Sequence, residues 1–390
     1  MNHASIPFTD APAATPVDSG FASHGVIALL GPQASPRSNW GLVRVRGADA
    51  TSFLHKQLTQ DVNRMGPKDA RLAAWCNAKG RMLASFVLLR EQGAQDAADE
   101  PSYLLLCRRD VMAGFMQKLK MYVLRSKVVI EDASASMSVY GLLGDAALAA
   151  WQAHGQQPPA APWQCLSVQE NAQRRYLLSL YPATVDAATL ESTSLPRTVC
   201  LQMPGLPAPD GPALPLWQWE WSEAASGVPG IEQACSGLFV PQMINFESVG
   251  GVNFQKGCYP GQEVVARSQF RGAIKRRGQI AAAQATGLAA GDEVWFCPLA
   301  SGDSSSPAQS AGATIEGANT PPEAEPCGTL VQVAQTAPAS DASTAHSLVF
   351  ASLQNSSVEA ALASQGQLRV GHAQGPVLQL HPLPYPLIEV

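Results

Sequence analysis

Chemistry concentrates between Gly250 and Arg277, in the run GGVNFQKGCYPGQEVVARSQFRGAIKRR. Within it, Lys256-Gly257-Cys258-Tyr259-Pro260-Gly261-Gln262-Glu263 sets a thiol between a cation and an aromatic ring. Gly257, Pro260 and Gly261 fall within five residues. That excludes helix interior, where Pro lacks a donor and Gly loses most backbone entropy. Gly permits φ > 0 and Pro fixes a bend, so this loop holds Cys258 in a set position. In an extended segment Lys256 and Cys258 point the same way, and a neighbouring ammonium favours thiolate. Cys258 is then a partly activated, functional thiol, or an inert cysteine buried in a turn, as free cysteines commonly are. The residues leave both readings open. Gln262 and Glu263 either act directly, Glu263 by orienting Lys256 or Tyr259, or cap and pin the loop. Glu263 and Arg267 are four apart and pair if the segment coils, although Val264-Val265-Ala266 reads as strand.

Tryptophans are the second candidate set. A flat ring system is held well by an aromatic face, and Trp offers the largest. Trp40 precedes a strand pattern. Trp217, Trp219 and Trp221 alternate and would share one strand face. The ordinary role of any of them is a core or rim residue. Residues 256–277 also carry six basic side chains (Lys256, Arg267, Arg271, Lys275, Arg276, Arg277) against the single acid Glu263. Such a cluster attracts an anion locally, or is a solvated strand face.

The elements that position these residues follow from pattern. Residues 1–37, rich in Ala, Pro and Ser, read as a flexible leader. Gly41–Gly47 alternates as a strand, and Ala48–Leu58 reads as a helix capped by Asp49. Cys76–Met82 is a turn into the strand Ala84–Leu89. Residues 92–101 form a hairpin loop, Tyr103–Cys107 a strand, Val111–Leu119 a helix, and the chain to Ile130 a strand. This strand–helix–strand–strand–helix–strand order suits a ferredoxin-like layer. A weaker second round has strands at Ser138–Leu142 and Tyr176–Leu180 and helices at Ala146–Ala153 and near Thr184–Leu190. After Arg277 short apolar runs read as an all-β barrel. Low-complexity inserts near 299–326 and 335–346 interrupt it. The domains are then 1–37, 38–135, 136–265 (ending in the Cys loop) and 266–390.

Length and composition set limits. At 390 residues the chain calls for two or three domains. A net charge of −5 argues against coating of nucleic acid by the whole protein, and DNA is not an expected partner. The eight cysteines are scattered, with no C-x-x-C and no paired Cys/His spacing. No metal site is signalled, and the thiols read as reduced and cytoplasmic. No signal peptide and no membrane-length apolar run is expected.

The run Lys256–Arg267, K-G-C-Y-x-G-Q-E followed by V-A-R, resembles the signature of the YgfZ family, folate-binding proteins related to the glycine-cleavage T-protein (aminomethyltransferase). The resemblance extends to G-A-D-x-x-x-F-L-x-x-Q-L-T-x-D-V at 47–62, to Cys76–Met82, to the Trp217–Trp221 run and to the Gly227-Val228-Pro229 turn. Phe239–Asn245 (F-x-P-Q-x-x-N) and the closing His381–Pro386 are also similar. It covers about 38–298 well and 327–385 more loosely. It implies an α+β, T-protein-like fold: two ferredoxin-like α+β lobes and a C-terminal β-barrel around a central folate channel.

The same resemblance implies tetrahydrofolate or another reduced folate as cofactor, held by Trp40 and Trp219. Cys258 would be a reactive thiol near it, attended by Lys256, Tyr259, Gln262 and Glu263. Lys256, Arg267 and the basic run would bind the folate glutamate tail or an acidic partner. The implied role is synthesis or repair of iron–sulfur clusters in client enzymes, including those that methylthiolate tRNA. Aminomethyltransferases place a carboxylate after the turn matched by Asn77–Gly80, whereas Asn77–Ser85 here contains no Asp or Glu. Ala, Leu and Ser cannot act as general acid or base near neutral pH. That argues against glycine-cleavage chemistry and leaves another one-carbon reaction on a small amine open. A tRNA-binding adaptor working through Arg267–Arg277 is the remaining alternative.

Overall fold

A computed structural model describes residues 24–92, 100–170, 173–184, 194–272, 274–299, 324–336 and 346–388. The chain enters on β1 (Gly25–Leu30). The first lobe follows as β2 (Trp40–Arg46), α1 (Ala50–Gln57), β3 (Ala70–Cys76), β4 (Met82–Glu91), β5 (Ser102–Arg108), α2 (Arg109–Lys120) and β6 (Val129–Asp132). The second contains β7 (Ser138–Leu143), α3 (Asp145–Gln152), β8 (Cys165–Glu170), β9 (Gln173–Ser179), the short pair β10 (Ala183–Thr184) and β11 (Ser194–Leu195), β12 (Arg197–Gln202) and α4 (Leu216–Ser226). Then α5 (Gln262–Phe270) leads to β13 (Arg276–Ala283), β14 (Glu293–Pro298), β15 (Glu325–Gln335), β16 (Ser347–Gln354), α6 (Asn355–Leu362), β17 (Gly366–Val370) and β18 (Gln379–His381).

Besides the β10–β11 pair, the described residues form three antiparallel sheets, in strand orders β3-β4-β5-β2-β6, β1-β7-β12-β9-β8 and β17-β14-β15-β16-β13-β18. Strand alternation sorts their side chains. In the first sheet Val43, Val45, Leu105 and Cys107 face α1 and α2, while Trp40, Leu42, Leu72, Leu104 and Leu106 face inward. In the second, Tyr140, Leu142, Leu177 and Cys200 pack under α3, while Val139, Tyr176, Leu178 and Val199 face inward. The two inner faces share one core with α4 and with β13, β15 and β16. In the third sheet, Leu378 N–H donates to Leu368 O at 2.8 Å and Arg369 bridges Val377, just before β18. That contact brings the two edges of the sheet together.

Several elements differ from the pattern reading. The stretch read as a leader contains β1, whose apolar run Val26–Leu30 is an edge strand of the second sheet, paired with β7; residues 1–23 lie outside the described residues. The first lobe has one strand more than expected, because Ala70–Cys76 is β3, paired with β4 from Ala70↔Leu89 to Cys76↔Met82. Asp49 sits at the α1 N-cap, but its carboxylate accepts from Lys127 N–H (2.7 Å) instead of from the helix. Trp217–Trp221 is helix, not strand. Val264–Ala266 is helix too, so the boundary placed at 265 falls inside α5. Thr184 ends a strand, and the remainder of the helix expected to Leu190 lies outside the described residues. Glu325, Pro326 and Gln335, assigned to inserts, belong to β15. Among the described residues no helix is long and apolar enough to cross a membrane.

Trp219 joins α4 to the second sheet. It is fully buried, and a Cβ built on Gly141 of β7 would lie 2.3 Å from its ring. Gly141 is therefore the position that admits the indole. Gly141→Ala is expected to destabilise the protein by about 1–3 kcal/mol through overpacking, read as a lower urea midpoint at unchanged slope.

Candidate functional site

The inner faces of the two lobes do not close completely. A cavity of about 50 Å³ remains, lined from the first sheet by Trp40, Leu72, Ser85, Val87, Leu106 and Arg108. The second sheet adds Leu180, Arg197 and Val199, and α4 and its following turn add Glu223, Val228, Pro229 and Gly230. Trp163 and Tyr181 complete the wall. Its charge arrangement is unusual for an interior, where isolated ions are disfavoured. Arg108 lies with its guanidinium 4.4 Å over the Trp40 ring and donates from Nη2 to Glu223 Oε2 at 2.9 Å. Its Nε is buried with no hydrogen-bond partner, 3.8 Å from Glu232 Oε1. Arg197 lies 4.6 Å over the Trp219 ring and donates to Ser222 Oγ (3.0 Å) and Tyr181 O (3.3 Å).

Burial perturbs these groups. It lowers Arg197 to about 10, with Arg108 pushing the same way and Glu223 opposing. Burial also acts to lower Arg108, but Glu223 and Glu232 outweigh it and hold the guanidinium above its ordinary value. Burial, then repulsion from Glu223, lifts Glu220 to about 7. Glu232 is raised by burial, partly offset by Arg108. Two buried arginines thus face three carboxylates of one helix and its following turn.

The Cys loop forms a separate depression, lined by Ala78, Cys258, Tyr259, Gly261, Gln262, Glu263, Val264 and Ala266. None of these residues also lines the central cavity. Cys258 is exposed; among the described residues the other cysteines are buried or half-buried. Burial holds the Cys76, Cys107, Cys165, Cys200 and Cys235 thiols near 12, far from thiolate at neutral pH. Gly261 takes φ +80° and packs on the Asn77–Gly80 turn, where a Cβ would lie 2.3 Å from Asn77 O.

Lys256 is buried while Cys258 is exposed, although the two stay within electrostatic reach. The loop turns it inward, and its Nζ donates to His55 O and to Leu58 O (2.7 Å), carbonyls at the C-terminus of α1. A cation there satisfies orphan carbonyls and opposes the helix dipole. Burial lowers the Lys256 ammonium to about 8, with Asp61 and Cys258 acting in the opposite direction. Tyr259 is buried with its ring 4.7 Å from Lys256 Nζ.

The predicted site residues therefore separate. Trp40 reaches the cavity. Trp219 does not line it, because the helical turn of α4 aims it into the core behind Arg197. Cys258, Tyr259, Gln262 and Glu263 share the depression. Glu263 orients neither Lys256 nor Tyr259; it pairs with Arg267 at 2.7 Å in solvent, 83% and 67% exposed. Lys256 is occupied structurally, and Arg277 is buried against Glu247. The basic run is thus not one continuous exposed surface. Sequence reasoning missed Arg108, Arg197 and Glu223. Glu220 and Glu223 at helical spacing were the available signal, hidden by reading the Trp run as strand.

The solved structure of glycine cleavage system aminomethyltransferase T from Bartonella henselae superposes with a TM-score of 0.54. The fold is T-protein-like. The match covers 94% of this chain and 87% of that chain, at 12% sequence identity. No protein-family model matches the chain.

The raised Glu220 gives a pH dependence with a definite sign. Its folded pKa of about 7 exceeds its ordinary 4.5, so the folded state binds more protons between those values. Stability falls as pH rises through that window. Glu220→Gln is expected to be more stable than wild type at pH 8, with the difference closing below pH 4.5 in urea titrations.

Proposed function

We propose that this chain binds a reduced folate in its central cavity and supports synthesis or repair of iron–sulfur clusters in client enzymes, among them enzymes that methylthiolate tRNA. The observation that carries the folate half is the pairing of an aromatic face, Trp40, with a buried carboxylate, Glu223, in the lining of one cavity, both engaged by Arg108. A reduced pterin offers a flat ring for the first and adjacent N–H donors for the second. The T-protein-like fold and the YgfZ-like run Lys256–Arg267 support the same reading. In it, Trp40 holds the ring and Glu223 orients it. The client half rests on the YgfZ resemblance and on Cys258, an exposed thiol held on a loop that is pinned from both sides.

One observation favours a second reading, a folate-dependent one-carbon transferase or demethylase acting on a small amine. The Asn77–Ser85 run lacks a carboxylate, and Ser85 Oγ accepts from Ile231 N–H (2.9 Å). Glu223 nevertheless brings a carboxylate to the same cavity from α4. Release of formaldehyde or methylene-folate from candidate amines would move the weight to that reading.

Titration with tetrahydrofolate, followed by tryptophan fluorescence, tests the proposal. Wild type is expected to bind near the micromolar range, about −8 kcal/mol. Trp40→Ala should lose most of that affinity with the fold retained. Trp219→Ala should instead lose about 3–5 kcal/mol of stability, as a core truncation does. Binding that survives Trp40→Ala would remove the ring from this cavity. Cys258→Ala should fold and bind folate normally, yet fail to restore client activity in cells lacking the native protein. Full rescue by that variant would take the thiol out of the function.

A further inference from the structure

The cavity is too small for the ligand just assigned to it. An apolar cavity of ~150 Å³ accepts a benzene ring, and only about 50 Å³ is free here. Something must move before a fused bicycle can enter, and the arrangement of the walls identifies what. We propose that Arg108 sits in the ring's own seat and selects the ring that replaces it. The site then takes a planar heterocycle whose edge repeats the guanidinium donor fork, and Arg108 leaves the Trp40 face as that ring arrives. The chemical class follows from the geometry; equating the ring with the pterin of a folate rests on the function proposed above.

The Arg108 head group is flat, lies 4.4 Å over the Trp40 ring, and presents an N–H edge to Glu223 at 2.9 Å. A 2-amino-4-oxopyrimidine fused to a second ring offers the same two features, a π face and neighbouring ring and exocyclic N–H groups. Arg108 is also held imperfectly. Its Nε is buried without a hydrogen-bond partner, and a Cβ on Gly230 would crowd that atom at 2.6 Å. A route out exists. Glu232 lies 3.8 Å from Nε and is 29% exposed, against 7% for Glu223. A swing towards Glu232 keeps the cation paired while Glu223 receives the donors of the ring. Neither charge is stranded, which is the costly outcome for a broken buried pair. A ring without the amino group would leave Glu223 unpaired and be rejected.

The probe is 6-methyltetrahydropterin, which carries the ring without a glutamate tail, titrated by tryptophan fluorescence. If Arg108 fills the seat nine-tenths of the time, emptying it in Arg108→Ala tightens binding about tenfold. Millimolar methylguanidinium should compete with the ring in that variant and raise its thermal midpoint, and do neither in wild type. Should Arg108→Ala not fold, Arg108→Met, which keeps the apolar stem, is read in the same way. In the wild-type background Glu232→Gln should weaken pterin binding by removing the second carboxylate. Loss of binding in the Arg108 variants would make Arg108 a ligand contact and overturn the proposal, as would the absence of both pterin tightening and a methylguanidinium effect. If no pterin binds any of the proteins while methylguanidinium still stabilises the Arg108 variants, the folate reading falls and the seat stands.

Discussion

Two guanidinium groups are buried between the inner faces of two β-sheets, and most of the interior is arranged to tolerate them. Arg108 ends a strand of the first lobe and Arg197 begins one of the second. Each lies on a tryptophan ring and reaches α4 for a polar partner, Glu223 for one and Ser222 for the other. A buried cation without such partners would be destabilising by several kcal/mol. Helix α4 must therefore lie across the seam between the lobes. Trp219 fixes it there by filling the space that Gly141 leaves open. The helix ends at Gly227 in the left-handed region, and Tyr385 donates to Gly227 O at 2.5 Å. The end of the chain is thereby tied to the turn that lines the cavity.

The Cys loop depends on a different cation. Lys256 closes the C-terminus of α1, and Gly261 lets the loop press on the Asn77–Gly80 turn. Both contacts attach the loop to the first lobe, although α5 behind it leads into the third sheet. Asn245 strengthens that last connection by exchanging two hydrogen bonds with Gly278 of β13, at 2.9 and 3.0 Å. An exposed thiol thus sits on a backbone fixed by three parts of the protein. The loop backbone is tethered even though the surroundings of the thiol are open.

The central cavity and the depression around Cys258 are separate surfaces. The central cavity is lined by aromatic and charged side chains. The depression around Cys258 is shallow and open to solvent. Under the proposed function, a ring bound in the first and a client at the second would not compete for the same atoms.

The sequence by itself determined the positions where side chains are punctuation or periodic. Glycine and proline spacing marked the Cys loop, two-residue alternation marked Gly41–Gly47, a compact apolar run marked Tyr103–Cys107, and the spacing of apolar residues marked α1. Those signals are local, so they survive without knowledge of what packs against them. Tertiary structure alone decided the rest. Trp217–Trp221 alternates like a strand but coils, because burying Trp219 against Gly141 and Glu223 against Arg108 outweighs local pattern. Val26–Leu30 fell within the stretch read as a leader on its composition, and pairing with β7 makes it a strand. Lys256 looked like an activating neighbour of Cys258, yet the open carbonyls of α1, some 200 positions away in sequence, claimed it first. The cavity was invisible for the same reason: Trp40, Arg108, Arg197 and Glu223 come from four elements, and only the packing of two sheets and one helix makes them neighbours.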